Sequence, residues 1–231
     1  MNEAECARAS RRRFIGSAAG GLLLPSAFTF DDEKKDEGEE DVSTNEDLMR
    51  EHGILKRVII AYDEIIRRIR AGQDFPPQAV TDGATIIRKF IEDYHEKLEE
   101  DHLFPRFRKA NKLVDLVTVL LAQHQAGRGV TERILAAASG SLKSAEDRKR
   151  LAADLEAFNR MYSPHEARED TVLFPALHKI VSPHEYDALG EQFEKIERQT
   201  FGGDGFDIYV DKVAALEKRL GIYDLAKFTP A

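Results

Sequence analysis

Apolar residues recur every three or four positions through most of residues 45–180, with polar residues between them. That period puts the apolar side chains on one face of an α-helix. The first such stretch, to about residue 71, carries Leu48, His52, Leu55, Ile59, Tyr62, Ile66 and Ile69, behind a capping box of Ser43 and Glu46. Gly72 and Pro76-Pro77 end it and start a second helix over about 77–108, with Ile87, Ile91, His95, Leu98, Glu99 and His102 on its inner side. A third helix, about 111–138, presents Leu113, Val117, Leu120, His124, Thr131 and Ile134 and closes at Ser139-Gly140. A fourth, about 144–180, presents Leu151, Leu155, Phe158, Tyr162, His165, Glu169 and Val172, and Pro164 inside it predicts a bend. Ser182 then caps a fifth helix over about 183–199, and a glycine-rich loop at 202–205 leads to a last amphipathic helix around 207–220. Alternating runs are few and Trp is absent. The pattern therefore predicts an all-α protein, an up-down four-helix bundle over 45–180 with additional C-terminal helices over 181–231.

Each of the four stripes carries a histidine in its middle, where an apolar residue is expected: His52, His95, His124 and His165. The second and fourth also share a longer pattern, His-Glu-x-x-Glu-x-x-x-Leu-Phe-Pro, running from His95 to Pro105 and again, 70 residues later and without a gap, from His165 to Pro175. His52 lies 43 residues before His95, and His124 lies 41 residues before His165. Residues four apart on a helix share a face roughly 6 Å apart. His95 thus points with Glu99, and His165 with Glu169. Each half of the chain reads as a helical hairpin, and two hairpins packed together bring four imidazoles and two carboxylates to one centre.

A single histidine on an apolar face is ordinarily a core residue bonded to a neighbour. Six polar groups at matched positions are different, because burying them without a compensating cation costs many kcal/mol. Imidazole and carboxylate without thiolate suits iron, manganese or zinc. Bridging carboxylates favour a metal pair, and six ligands exceed the needs of one catalytic zinc. Two iron ions, preferred over manganese or zinc, fit the set His52, His95, Glu99, His124, His165 and Glu169. Such a pair leaves open positions for dioxygen, peroxide or nitric oxide. His102 lies two turns beyond His95 and reads as outer-shell or surface, while His178 and His184 read as surface or capping residues. Glu96 and Glu166 are expected on the solvated side, an extra ligand or outer-shell role being the alternative. Tyr62, Tyr94 and Tyr162 are each close enough to donate a hydrogen bond at the site, or are ordinary core aromatics.

Composition agrees with a helical, metal-binding reading and narrows the partners. The 231 residues are 42% hydrophobic and 33% charged, with net charge -8, which argues against a nucleic-acid partner. The one cysteine, Cys6, precludes an intramolecular disulfide. Residues 1–30 form a separate unit. Ser10-Arg11-Arg12-Arg13-Phe14-Ile15 and the short apolar segment after it resemble a twin-arginine export signal, too short for an ordinary spanning helix. The expectation is an exported, periplasmic or extracytoplasmic protein whose mature chain has no spanning helix. Residues 31–44 are an acidic linker.

The order His52, His95-x-x-x-Glu99, His124, His165-x-x-x-Glu169, with Leu-Phe-Pro after each pair, resembles the hemerythrin-like (HHE cation-binding) domain. The resemblance covers about 45–180 and implies a non-haem di-iron centre in a four-helix bundle. It implies His52 and His95 on one iron, His124 and His165 on the other, and Glu99 and Glu169 as bridges. Oxygen-carrying members place a second histidine four residues after the helix-three histidine, and here that residue is Arg128. The second iron is then one histidine short: either it is more open, or Glu96, Glu166 or water fills the place. That departure points away from reversible oxygen carriage, toward binding or sensing of dioxygen, peroxide or nitric oxide, or iron handling. A peroxidase or ferroxidase, and a helical interaction module with a structural metal, are the alternatives.

Overall fold

The computed structural model describes residues 42–140, 142 and 144–230. The expected export signal at 1–30, Cys6, and all but the end of the acidic linker lie outside the described residues. Residues from Thr44 onward form one compact unit. Among the described residues its helices are α1 (Thr44–Arg70), α2 (77–109), α3 (Val114–Ser139), α4 (145–177), α5 (Pro183–Phe201) and α6 (Gly205–Leu220), followed by a short 3₁₀ turn, Leu225–Phe228. No strand occurs among the described residues. α1 packs on α2 and α4, and α3 packs on the same two, closing a four-helix bundle with short connections.

Helix boundaries follow local chemistry. α3 starts three residues later than its periodicity predicts, because Asn111 and Leu113 both take positive φ, 51° and 50°. Asn tolerates that conformation, and Leu113 is held in it by packing against the core. Ser144 and Ser182 cap α4 and α5 through side-chain oxygens that accept the backbone N–H of Asp147 and Glu185.

α2 and α4 are not regular throughout. Each widens into a π-turn at the same place, Glu99–Leu103 and Glu169–Leu173, where the Phe104 and Phe174 N–H groups bond the carbonyls of Glu99 and Glu169, five residues back. α2 contains a second, longer π-segment, Ile87–His95. The Leu-Phe-Pro tripeptides account for the shared feature. A proline ring in a regular helix strikes the carbonyl four residues before it. A wider turn moves that carbonyl away from the rings of Pro105 and Pro175. Single π-turns inside α-helices are found frequently at functional sites. Pro164 lies instead within the regular segment Ala145–Arg168, and the helix runs through it unbroken.

The two C-terminal helices pack on α1 and α2. Arg57 donates to both carboxylate oxygens of Glu217, at 2.9 and 2.5 Å. Phe201 and Tyr209 join Phe90 and Tyr94 in an aromatic cluster with centroid separations of 4.5–5.8 Å. No described helix is long and apolar enough to cross a membrane.

Candidate metal centre

The six predicted residues meet in the middle of the bundle, all buried. The donor atoms of His52, His95 and Glu99 lie within 4.8 Å of one another, and those of His124, His165 and Glu169 form a second such group. Nε2 of His52 is 2.9 Å from Nε2 of His95, and Nε2 of His124 is 3.2 Å from Nε2 of His165. The carboxylates lie between the pairs. Glu99 is 3.8 Å from His95 and 3.4 Å from His124, while Glu169 is 3.1 Å from His165 and 3.5 Å from His52. Both carboxylates are 0% exposed, and none of their four oxygens has a hydrogen-bond partner in the protein. Buried polar atoms are nearly always satisfied, so four orphaned oxygens beside four inward-facing imidazole nitrogens fit a bound cation pair.

The far side of every imidazole is held. Nδ1 of His52 bonds Asp170 at 2.7 Å, and Nδ1 of His95 bonds Glu51 at 2.6 Å. Nδ1 of His124 bonds Glu100 at 3.1 Å, and Nδ1 of His165 bonds Gln123 at 2.9 Å. With Nδ1–H donating outward, the lone pair of Nε2 faces the centre, the tautomer a metal ligand needs. Phe174 stacks on His52 and Phe104 on His124, at 5.4 and 5.5 Å, so the phenylalanines of the repeated tripeptide orient two of the rings. Sequence reasoning missed all six of these supports. The signal lay in the repeat itself: Glu51 and Gln123 each precede a stripe histidine, and Glu100 and Asp170 each follow a central carboxylate.

Glu96 and Glu166 are not solvated as expected. Glu96 is buried, accepts a 2.7 Å hydrogen bond from the Tyr162 hydroxyl, and lies 2.7 Å from Arg128. Glu166 is buried and pairs with Lys56 at 2.8 Å. Lys56 and Arg128 each stand four residues after a stripe histidine, so the two pairs are equivalent across the bundle. Arg128 also bonds Glu100 at 2.8 Å. Glu96, Glu100 and His124 form a third group with converging donor atoms, but the guanidinium already supplies the cation there. Tyr94 neighbours Glu51, while Tyr62 lies against Gly83 and near Glu92 and does not reach the centre. His102 is half-buried near Phe193, away from the site, and His178 and His184 are exposed.

The electrostatics of the centre favour a cation there. Burial, the neighbouring Glu169 and Glu96 push the Glu99 carboxyl up. Burial would also raise Glu169, but His165, His52 and His124 outweigh it and hold it below the ordinary range. Burial and the other three imidazoles hold His95 down. Two carboxylates this close resist ionising together unless a cation lies between them.

The hemerythrin HHE cation-binding domain model matches residues 43–177. The chain belongs to that family of metal-binding helical bundles, and α5 and α6 lie beyond the matched span. Uncharacterized protein Rv1995 of Mycobacterium tuberculosis (strain ATCC 25618 / H37Rv) and Uncharacterized protein Mb2018 of Mycobacterium bovis are each 45% identical to it over 242 aligned residues, covering 100% of this chain and 95% of theirs. Those names assign no activity. No solved structure matches.

Proposed function

We propose that this chain is a non-haem di-iron protein that binds or senses dioxygen or a related small oxidant. One observation carries the reading: two buried carboxylates with no hydrogen-bond partner in the protein lie between two histidine pairs whose Nε2 atoms face inward. His52 and His95 would hold one iron, His124 and His165 the other, with Glu99 and Glu169 shared. Iron fits the all-nitrogen-and-oxygen donor set, and it would supply open coordination positions and redox change for dioxygen, peroxide or nitric oxide. The protein's own part is to fix each imidazole through its Nδ1 partner and to keep bulk water out. Arg128, where oxygen carriers have a further histidine, is committed to Glu96 and Glu100 and is no ligand. The arginine run at 11–13 supports export by the twin-arginine route, which carries folded cargo and so allows metal loading first.

Metal content per chain, measured by plasma mass spectrometry on protein from iron-rich culture and paired with an absorption spectrum, tests this. The expected result is about two irons with near-ultraviolet oxo-to-iron bands, as a di-iron bundle requires. Steady peroxide turnover abolished by Glu169→Ala would move the reading to a peroxidase. No bound metal, or zinc that His124→Ala and Glu99→Ala leave undisturbed, would refute it.

A further inference from the structure

We propose that Glu51 and Gln123 tune the two metal positions to be unequal, so that a half-reduced centre keeps its ferric ion on the His52–His95 side. The inference rests on the di-iron reading above. The duplication repeats the ligands faithfully but does not repeat what stands behind them. His95 donates to the carboxylate of Glu51, whereas its counterpart His165 donates to the neutral amide of Gln123, and the separations are 2.6 and 2.9 Å. His52 donates to Asp170 at 2.7 Å, whereas His124 donates to Glu100 at 3.1 Å. Glu100 also divides its charge between Lys97 and Arg128.

Both contacts on the His52–His95 side are therefore shorter, and both acceptors there are carboxylates. A hydrogen bond to an ionised acceptor is roughly twice as strong as one between neutral groups. A carboxylate that draws the Nδ1 proton toward itself makes the opposite Nε2 a stronger electron donor, which favours the higher charge on a bound metal. Glu51 is fully buried; burial pushes its carboxyl up, and the Nδ1–H it would accept from a metal-bound His95 favours its charge. One electron from a chemical reductant would then go to an ion held by His124 and His165, and a second to an ion held by His52 and His95.

The test is a dithionite titration of the full chain loaded with Mössbauer-active iron, followed by Mössbauer and electron paramagnetic resonance at set potentials. Circular dichroism confirms folding of each variant. The unmodified chain should reduce in two separated steps with an accumulating half-reduced species. Glu51→Gln should raise the second potential and Gln123→Glu should lower the first. Each single change should reduce the constant for forming the half-reduced state by about tenfold, the scale on which outer-shell partners change metal affinity or activity. The double exchange should shift the ferric ion of the half-reduced state toward the His124–His165 side, which a merely structural role would not do. Single variants that keep two irons and leave the constant unchanged, or Glu51→Gln moving only the first step, would overturn the proposal. Fewer than two irons in the unmodified chain would overturn the di-iron reading itself, and the metal assay reports that separately.

Discussion

Two glycines two residues apart in α3 should respond oppositely to the same substitution. At Gly129 an added Cβ meets nothing within 4 Å. Alanine there only removes the conformational freedom of glycine in a helix, a gain of about 0.5–1 kcal/mol. At Gly127 the Cβ would lie 2.0 Å from the Tyr162 hydroxyl oxygen and 2.7 Å from its Cζ. Tyr162 cannot easily yield. Its ring is fully buried, 4.4 Å from that of Phe158 and 5.4 Å from that of His165, and its hydroxyl donates to the buried Glu96. Overpacking costs about 1–3 kcal/mol. Displacing the hydroxyl from a buried carboxylate costs a further 1–3, roughly. Against the helix gain, Gly127→Ala should lose about 1–5 kcal/mol, or roughly 2–20 °C in Tm for a chain of this size. Gly129→Ala should gain up to about 4 °C. Thermal unfolding by circular dichroism at matched metal content reads both. A Gly127→Ala protein as stable as Gly129→Ala would refute the packing argument.

Three further outcomes are expected. Arg128→Ala should cost roughly 1–3 kcal/mol, because Glu96, which burial already pushes up to about 8, loses its cation and moves further toward its neutral form, whereas the equivalent Lys56→Ala should cost under about 1, since Lys56 is 49% exposed against 24% for Arg128; urea unfolding of both compares them, and equal losses would contradict the burial argument. Burial, with Asp47 and Asp204 nearby, pushes the Glu197 carboxyl up to about 7, although the N–H groups of Phe206 and Gly205 favour its charge. The folded state then binds more protons than the unfolded one between the ordinary value of 4.5 and about 7, so stability falls as pH rises through that window. Glu197→Gln should flatten the fall, and a pH series showing identical slopes would exclude the effect. Pro175→Ala removes the ring that requires the wide turn at Glu169–Leu173, so α4 should tighten and turn Glu169 off the centre. Iron affinity should drop about tenfold or more while the apoprotein unfolds no earlier; unchanged affinity would mean that proline does not set the turn.

The bundle was legible because its signals are local and repeated. Stripes of 3.6 periodicity, glycine and proline breaks, and serine caps each report on a few consecutive residues. The six central residues were legible because His52, His95, His124 and His165 sit where apolar residues belong, and because the chain states the pattern twice. What escaped the sequence depends on contacts between distant helices. Helical angle alone put Glu96 toward solvent, but the π-segment Ile87–His95 alters that angle, and Arg128 reaches it from α3. Tyr62 follows the stripe of His52, yet its side chain turns toward Gly83. Two left-handed residues before α3 moved a helix start that periodicity placed at residue 111.

The pairing of supports explains why duplication suits this centre. Each hairpin contributes both histidines of one pair, which would let a half-site form alone if nothing else were needed. Yet His52 and His124 take their support from the opposite hairpin. Asp170 and Phe174 of α4 fix His52, and Glu100 and Phe104 of α2 fix His124. Glu169 reaches back to His52, and Glu99 reaches forward to His124. The ion pairs cross as well, Lys56 to Glu166 and Arg128 to Glu96. Only Glu51 and Gln123 act within their own hairpin. Docking the two hairpins and assembling the two candidate ligand groups are therefore one event, since neither half holds its first histidine without the other. The same crossing places the Leu-Phe-Pro tripeptides at the seam, where the buried leucine fills the core, the phenylalanine stacks on the opposite hairpin's histidine and the proline widens the turn that carries the central carboxylate.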